Sequence, residues 1–216
     1  TARGVVRREV VRVITPGTVL DPRMLEEKRN NYLVALCGDR GRYGLAAADA
    51  STGELAVAEV DGEERAEEEL QRLAPRECLV PPGLASDGSF VERWARDAGV
   101  TLTPRPAREF DPDDAARSLL KHFRVSSLAA YGCGEMRPAV GAAGALLAYL
   151  RETQMTELGQ FTGMSAYSTG DYLLLDSATR RNLELTRRIM DPSRRGSLLW
   201  VLDRTLTAMG GRQLRA

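Results

Sequence analysis

Histidine is almost missing from this chain of 216 residues, His122 being the only one. A Ser–His–Asp or Cys–His set would have to be built around that imidazole. It stands beside Phe123 at the end of a helical pattern, a place for a helix-dipole partner or a part-core residue rather than a base. Cysteine is scarce as well. Cys37, Cys78 and Cys133 are far apart, without CxxC zinc spacing and in odd number, so neither a structural metal site nor a disulfide framework is available. Their apolar or small neighbours mark them as inert thiols in a reducing cytoplasm. Lysine is reduced to Lys28 and Lys121, a bias that reads as GC-rich coding. Neither sign of charge is in excess: 30 Lys and Arg balance 30 Asp and Glu, which argues against a protein that coats nucleic acid. The longest apolar run, around Ala139–Leu150, falls short of the ~20 residues needed to span a bilayer. The opening TARGVVRREV has neither an initiator Met nor the apolar core of a signal peptide, and reads as though cut from something longer.

What is present is ordinary for a globular chain, with 43% hydrophobic and 28% charged residues. VVRREVVRVI (5–14) reads as a strand stopped by the breaker TPGT (15–18), and Asp21-Pro22 opens a short helix over MLEEKR. Three strands follow at YLVALCG (32–38), RYGLAAADAS (42–51) and ELAVAEV (54–60), joined by hairpin-length breaks. GEERAEEELQRLA (62–74) predicts a helix with Ala66, Leu70 and Leu73 inward. CLVP (78–81) is a buried strand, Ser89–Ala98 a helix, and VTLTP (100–104) another strand. Asp111-Pro112 opens a helix to Phe123, with Ala116, Leu119, Leu120 and Phe123 inward and Asp114, Arg117, Ser118 and Lys121 outward. RPAVGAAGALLAYLRETQ (137–154) is apolar nearly all round, and Gly141 and Gly144 mark close approach of its backbone to another element. The order βββαβαβ with later helices predicts an α/β fold, a mixed sheet of ribonuclease H-like type covered by helices. Beyond a Gly/Ser/Thr-containing connection, YLLLD (172–176) reads as a strand and Asp176 as the cap of a helix over 177–189. SLLWVLDRTL and AMGGRQLRA read as helical. The apolar run 198–202 exceeds what one short helix can hide, so its partner is expected elsewhere in a longer chain, and artificial self-association is plausible.

Several stretches together resemble the MutS family of DNA mismatch repair proteins. VRVITPGT (11–18) is similar to the exit from the mismatch-binding domain, STGE (51–54) to a hairpin of the connector, and LLAYLRETQ (146–154) to the connector's last helix. LLLDSATRRNLEL (173–185) with SLLWVLDRTLTAMGGRQLR (197–215) resembles the opening of the lever. The resemblance implies four regions: 1–30, the tail of the mismatch-binding domain and a linker; 31–154, the connector; 155–170, a linker; and 171–216, the truncated start of the lever and core. It implies no catalysis here, because the mismatch-reading wedge lies upstream and no GxxxxGK[ST] phosphate loop occurs. ATP and magnesium belong by implication to the full-length parent, as do mismatched duplex DNA, homodimerisation and no membrane. A MutL-type partner is expected on the outward face at Arg117, Ser118 and Lys121. Arg180, Arg181, Arg187 and Arg188 are candidates for DNA phosphates. Residues 15–30 and 155–170 have the composition of loose joints around a rigid body.

The fold class also raises a metal-dependent ribonuclease H-like nuclease or resolvase. Such enzymes hold two cations about 4 Å apart with carboxylates converging on the sheet. Asp39 lies past the end of the first strand, and Asp49 sits where Asp, Ser, Thr and Gly form turns. GCGEMR (132–137) lacks the third glycine of a dinucleotide loop and reads as a tight turn.

Overall fold

Between Tyr32 and Asp61 the chain runs back on itself twice, forming β1 (Tyr32–Asp39), β2 (Arg42–Asp49) and β3 (Glu54–Asp61) as an antiparallel meander. The computed structural model describes residues 10, 12–19, 30–155, 157–171, 177–191 and 193–215. Two crossovers extend the sheet on the other side of β1. Helix α1 (Glu63–Leu73) leads to β4 (Glu77–Val80), parallel to β1, and α2 (Phe90–Ala98) leads to β5 (Thr101–Pro104), parallel to β4. A last short strand, β6 (Ser165–Ala166), runs parallel to β3, giving the order β5-β4-β1-β2-β3-β6.

Helices cover both faces, which explains why the central strands read as unbroken apolar runs. Val34 and Leu36 of β1 face α1 and α2, packing with Leu70, Phe90 and Trp94. Leu33, Ala35 and Cys37 face the opposite way, against α3 (Pro112–Phe123) and α4 (Arg137–Gln154). Start signals act as expected: Asp111 accepts from the Asp113 and Asp114 amides at 3.0 and 2.9 Å, and Ser89 from the Glu92 amide at 3.1 Å.

Helix α4 lies almost directly on β2. A Cβ at Gly44 would stand 2.1 Å from the Ala139 nitrogen, and one at Gly141 2.4 Å from the Phe110 carbonyl oxygen. The alanines Ala46, Ala48, Ala139, Ala142 and Ala143 complete this close approach, and all are buried. On α3, Ala115 is buried and Ala116 only partly so, a one-residue rotation from the expected stripe.

The C-terminal part departs from its sequence pattern. The helix expected over 177–189 is α5 (Ser177–Asn182) only. Its continuation has no core to enter, since Leu183, Ile189 and Met190 are exposed, and Glu184 turns the chain with a φ of 48°. Glu184 and Leu185 instead accept from the Leu198 and Leu199 amides at 3.1 and 2.9 Å. Two further helices follow, α6 (Leu198–Leu202) and α7 (Ala208–Arg215). The expected strand at 172–176, the Asp176 cap and the helix after Pro22 lie outside the described residues. So does most of the expected strand 5–14, whose described residues, 10 and 12–14, have no strand partner. No helix among the described residues is long and apolar enough to cross a membrane.

Candidate functional site at the joints of the sheet domain

Three carboxylates are buried in or beside the sheet, Glu77 on β4, Glu69 on α1 and Asp49 on β2, and the first two bind segments that leave the domain. Glu77, 1% exposed at the start of β4, points towards α4 and accepts four hydrogen bonds. Thr103 Oγ1 and Tyr149 Oη donate to its Oε1, each at 2.7 Å. Thr15 Oγ1 and the Gly17 amide donate to Oε2 at 2.6 and 3.0 Å. The first pair belongs to the sheet domain and the second to the TPGT segment. That segment is further held by the Val13 amide on the Thr153 carbonyl at 2.7 Å. Gly17 is required here, because a Cβ would lie 2.8 Å from Leu33 and 3.0 Å from the Glu77 Cβ. Residues 12–19 are therefore a docked arm. Burial pushes the Tyr149 hydroxyl up to about 12, so it stays a donor, and the Arg105 guanidinium lies 5.2 Å over its ring.

Glu69 anchors the opposite arm. Arg72 binds it through Nε and Nη2 at 3.0 and 2.6 Å, and Tyr167 Oη donates to it at 2.5 Å. Tyr167 follows β6, its amide donating to the Val57 carbonyl at 3.0 Å, while Arg72 stands 5.3 Å over its ring. Burial holds the Tyr167 hydroxyl far above its ordinary value. Leu158, Phe161 and Met164 are buried in the α4-side core. The Phe161 carbonyl lies 3.0 Å from His122 Nε2, so that histidine serves the strap formed by residues 157–167. Much of the connection read as loose is a packed edge.

Asp49, 1% exposed, closes the β2–β3 hairpin. Its Oδ1 accepts from the Ser51 amide at 2.8 Å and its Oδ2 from the Asn31 amide at 3.2 Å. This is turn chemistry, as its residue context predicts. In the β1–β2 ladder Asp39 pairs with Arg42 and Asp49 with Tyr32, so the two aspartates occupy opposite ends of a strand pair roughly 20 Å long. Among the described residues no group of three or more His, Cys, Asp or Glu is placed to hold a metal ion. Nothing there supports the nuclease alternative. The three cysteines are buried and free, and burial pushes the Cys37 thiol up to about 12.

The outward-face candidates separate. Arg117 and Lys121 are exposed one turn apart on α3, Arg117 paired with Asp114. Ser118 is half-buried and accepts from Arg151 Nη1 at 3.1 Å, so it faces α4. Arg181, Arg187 and Arg188 are exposed; the Arg180 side chain lies outside the described residues. Because α5 ends at Asn182, Arg187 and Arg188 do not share its face. Residues 132–136 form turns before α4, as expected of GCGEMR.

MutS domain II matches residues 31–162, and MutS domain III matches residues 178–216. The chain belongs to the MutS family. It is 47% identical to the DNA mismatch repair protein MutS of Symbiobacterium thermophilum, over 100% of this chain and 25% of that protein. The MutS proteins of Desulfosudis oleivorans and Lachnoclostridium phytofermentans are 42% and 38% identical, over 99% and 100% of this chain and 24% and 23% of theirs. The chain thus spans about a quarter of the length of the MutS relatives it matches. It carries parts of domains II and III, and no GxxxxGK[ST] cradle for a nucleotide phosphate.

Glu77, Glu69 and Tyr167 are not legible as site residues in the amino-acid order. The only signal was an acid abutting an apolar strand, in Glu77-Cys78-Leu79-Val80, where a charge is out of place unless partnered.

Proposed function

We propose that this part of a MutS-type mismatch repair protein is a connector that relays conformational state between the mismatch-binding, lever and ATPase parts. The observation that carries the reading is the docking of both arms onto one sheet domain, by Glu77 at one end and by β6, Glu69 and Tyr167 at the other. A body that grips its arms transmits rotation, whereas one on slack tethers does not. The strand order and central meander favour a ribonuclease H-like connector over 31–154, between a tail and linker at 1–30 and a linker at 155–170. Residues 171–216 begin the lever. ATP, magnesium and the homodimer belong to the full-length parent, and three buried thiols suit a cytoplasmic setting.

In the full-length protein, fluorophores on α2 and α3 report the body, and a third in the lever reports the joint. The body distance is expected to stay constant on addition of ATP while the body-to-lever distance changes. A constant body-to-lever distance in every nucleotide state sinks the relay.

The outward face of α3, reduced to Arg117 and Lys121, is the proposed dock for a MutL-type partner. Reversing both charges is expected to weaken that association about tenfold, a loss of roughly 1.4 kcal/mol; an unchanged affinity removes the assignment. Exposed Arg181, Arg187 and Arg188, together with Arg180, are proposed phosphate contacts. Replacing Arg187 and Arg188 by Ala is expected to flatten the log–log salt dependence of duplex binding by about 2. An unaltered slope assigns them to the solvated surface.

A further inference from the structure

The turn of the β2–β3 hairpin, residues 50–53, is held from two sides. On one side lies the strap: a Cβ at Gly53, whose φ is +76°, would stand 2.4 Å from the Gln160 carbonyl oxygen. On the other lies α7, where Met209 and Gly210 meet Thr52, Gly53 and Glu54 around a cavity of about 380 Å³. At this junction Arg212 is 6% exposed, and its Nη1 donates to Ser51 Oγ at 2.6 Å. The Ser51 hydroxyl has one proton, and it is directed at Asp49 Oδ1, 2.6 Å away. The guanidinium and the buried carboxylate therefore polarise one hydroxyl between them, an arrangement in which each bond strengthens the next.

The chain of bonds continues past Asp49. Its second oxygen accepts from the Asn31 amide at 3.2 Å, and the Asn31 side-chain nitrogen donates to the Pro16 carbonyl at 3.1 Å. Pro16 lies between Thr15 and Gly17, the two residues bound to Glu77. Ser51 is half-buried, whereas Asn31 is 7% exposed and Asp49 1%, so the inner half of the path is shielded from water.

We propose that Asp49 is the coupling node of this domain, joining α7 through Ser51 and Arg212 to the N-terminal arm through Asn31. The proposal rests on the relay reading and gives it a route: the C-terminal segment acts on the arm across the hairpin, and not only through the covalent linker. Arg212 is a positioning residue that orients the Ser51 hydroxyl, and Asp49 converts that orientation into the hold on Asn31.

Amide hydrogen exchange on the full-length protein without nucleotide tests the route, with the Arg76 amide, bonded to the Tyr32 carbonyl at 2.9 Å, as the control for general opening. Arg212→Met keeps the aliphatic stem and removes the guanidinium. It is expected to speed exchange of the Thr52 and Gly53 amides, which donate to the Asp49 carbonyl, about tenfold. The deciding readout is the Asn31 amide on the far side of Asp49, expected to speed up at least threefold while Arg76 stays unchanged. Ser51→Ala cuts the path with Arg212 in place and is expected to act alike. The double variant should be no faster at Asn31 than the faster single variant. An Asn31 amide at the parental rate in both single variants overturns the proposal, and so does a double-variant effect equal to the product of the singles. Arg212→Lys, which retains a donor, is expected to restore much of the parental rate at Asn31; a rate as fast as that of Arg212→Met also overturns it. Exchange that follows this pattern together with a body-to-lever distance that is constant in every nucleotide state leaves the route standing and removes the relay reading.

Discussion

Glu77 is a buried carboxylate with no cation paired to it among the described residues, satisfied by two threonine hydroxyls, a tyrosine hydroxyl and one backbone amide. Such a group is tolerable only while its donors stay in place. Glu77→Gln presents an NH₂ to a site built of donors, and the Gly17 amide has no means of turning round. The change is expected to cost about 2 kcal/mol of folding stability, read as a shift of the urea midpoint at constant slope. A shift below about 0.5 kcal/mol would show that water replaces the lost bonds. His122 carries a different expectation. Burial lowers its pKa in the folded protein below the ordinary value of about 6.5, outweighing the Phe161 carbonyl, which raises it. The unfolded chain therefore takes up the proton first. The contribution of His122 is present above pH ~6.5 and lost as pH falls through the lower folded value. His122→Gln is expected to flatten that part of the stability–pH curve, and an identical curve would assign the slope to other groups.

At the scale of elements, the sheet, the four helices packed on it and most of their ends are legible in the amino-acid order. Alternation, caps and turn residues all speak for the same structure between residues 31 and 154. What is not legible depends on partners distant in sequence. The strap reads as a loop because β6 is two residues long and its apolar anchors Leu158, Phe161 and Met164 have no regular spacing. The helix expected over 177–189 fails for the converse reason: its pattern is helical but its apolar side has nothing to cover it among the described residues. Of the candidate sites, the exposure of Arg117 and Lys121 follows from helical phase, whereas the turn of Ser118 towards Arg151 does not. Asp49 was legible as a turn residue, but its tie to Asn31 was not. Gly44 shows how strict the α4 packing is. The three nearest neighbours of a Cβ there are backbone atoms of Pro138 and Ala139, which have no rotamer to change, so Gly44→Ala is expected to cost about 3 kcal/mol. Thermal unfolding checks it, and a loss below about 1 kcal/mol would mean that α4 lifts freely.

For the molecule as a whole, both arms leave a sheet whose outermost strands differ in character. β5 is short and ends at Pro104, a residue that cannot donate to a neighbouring strand. The other edge is the two-residue β6, which pairs with the longer β3 at Ala56 and Val57. This pairing has a consequence for solubility. Uncovered, the Ala56 and Val57 peptide groups would form a template on which another molecule could add its own strand, the usual beginning of aggregation. The strap thus doubles as a guard against self-recognition. A version of the domain stopped at Gln154 is expected to sediment as dimers and larger species, whereas one extended to Asp171 stays monodisperse; identical sedimentation of the two would show that the bare strand protects itself.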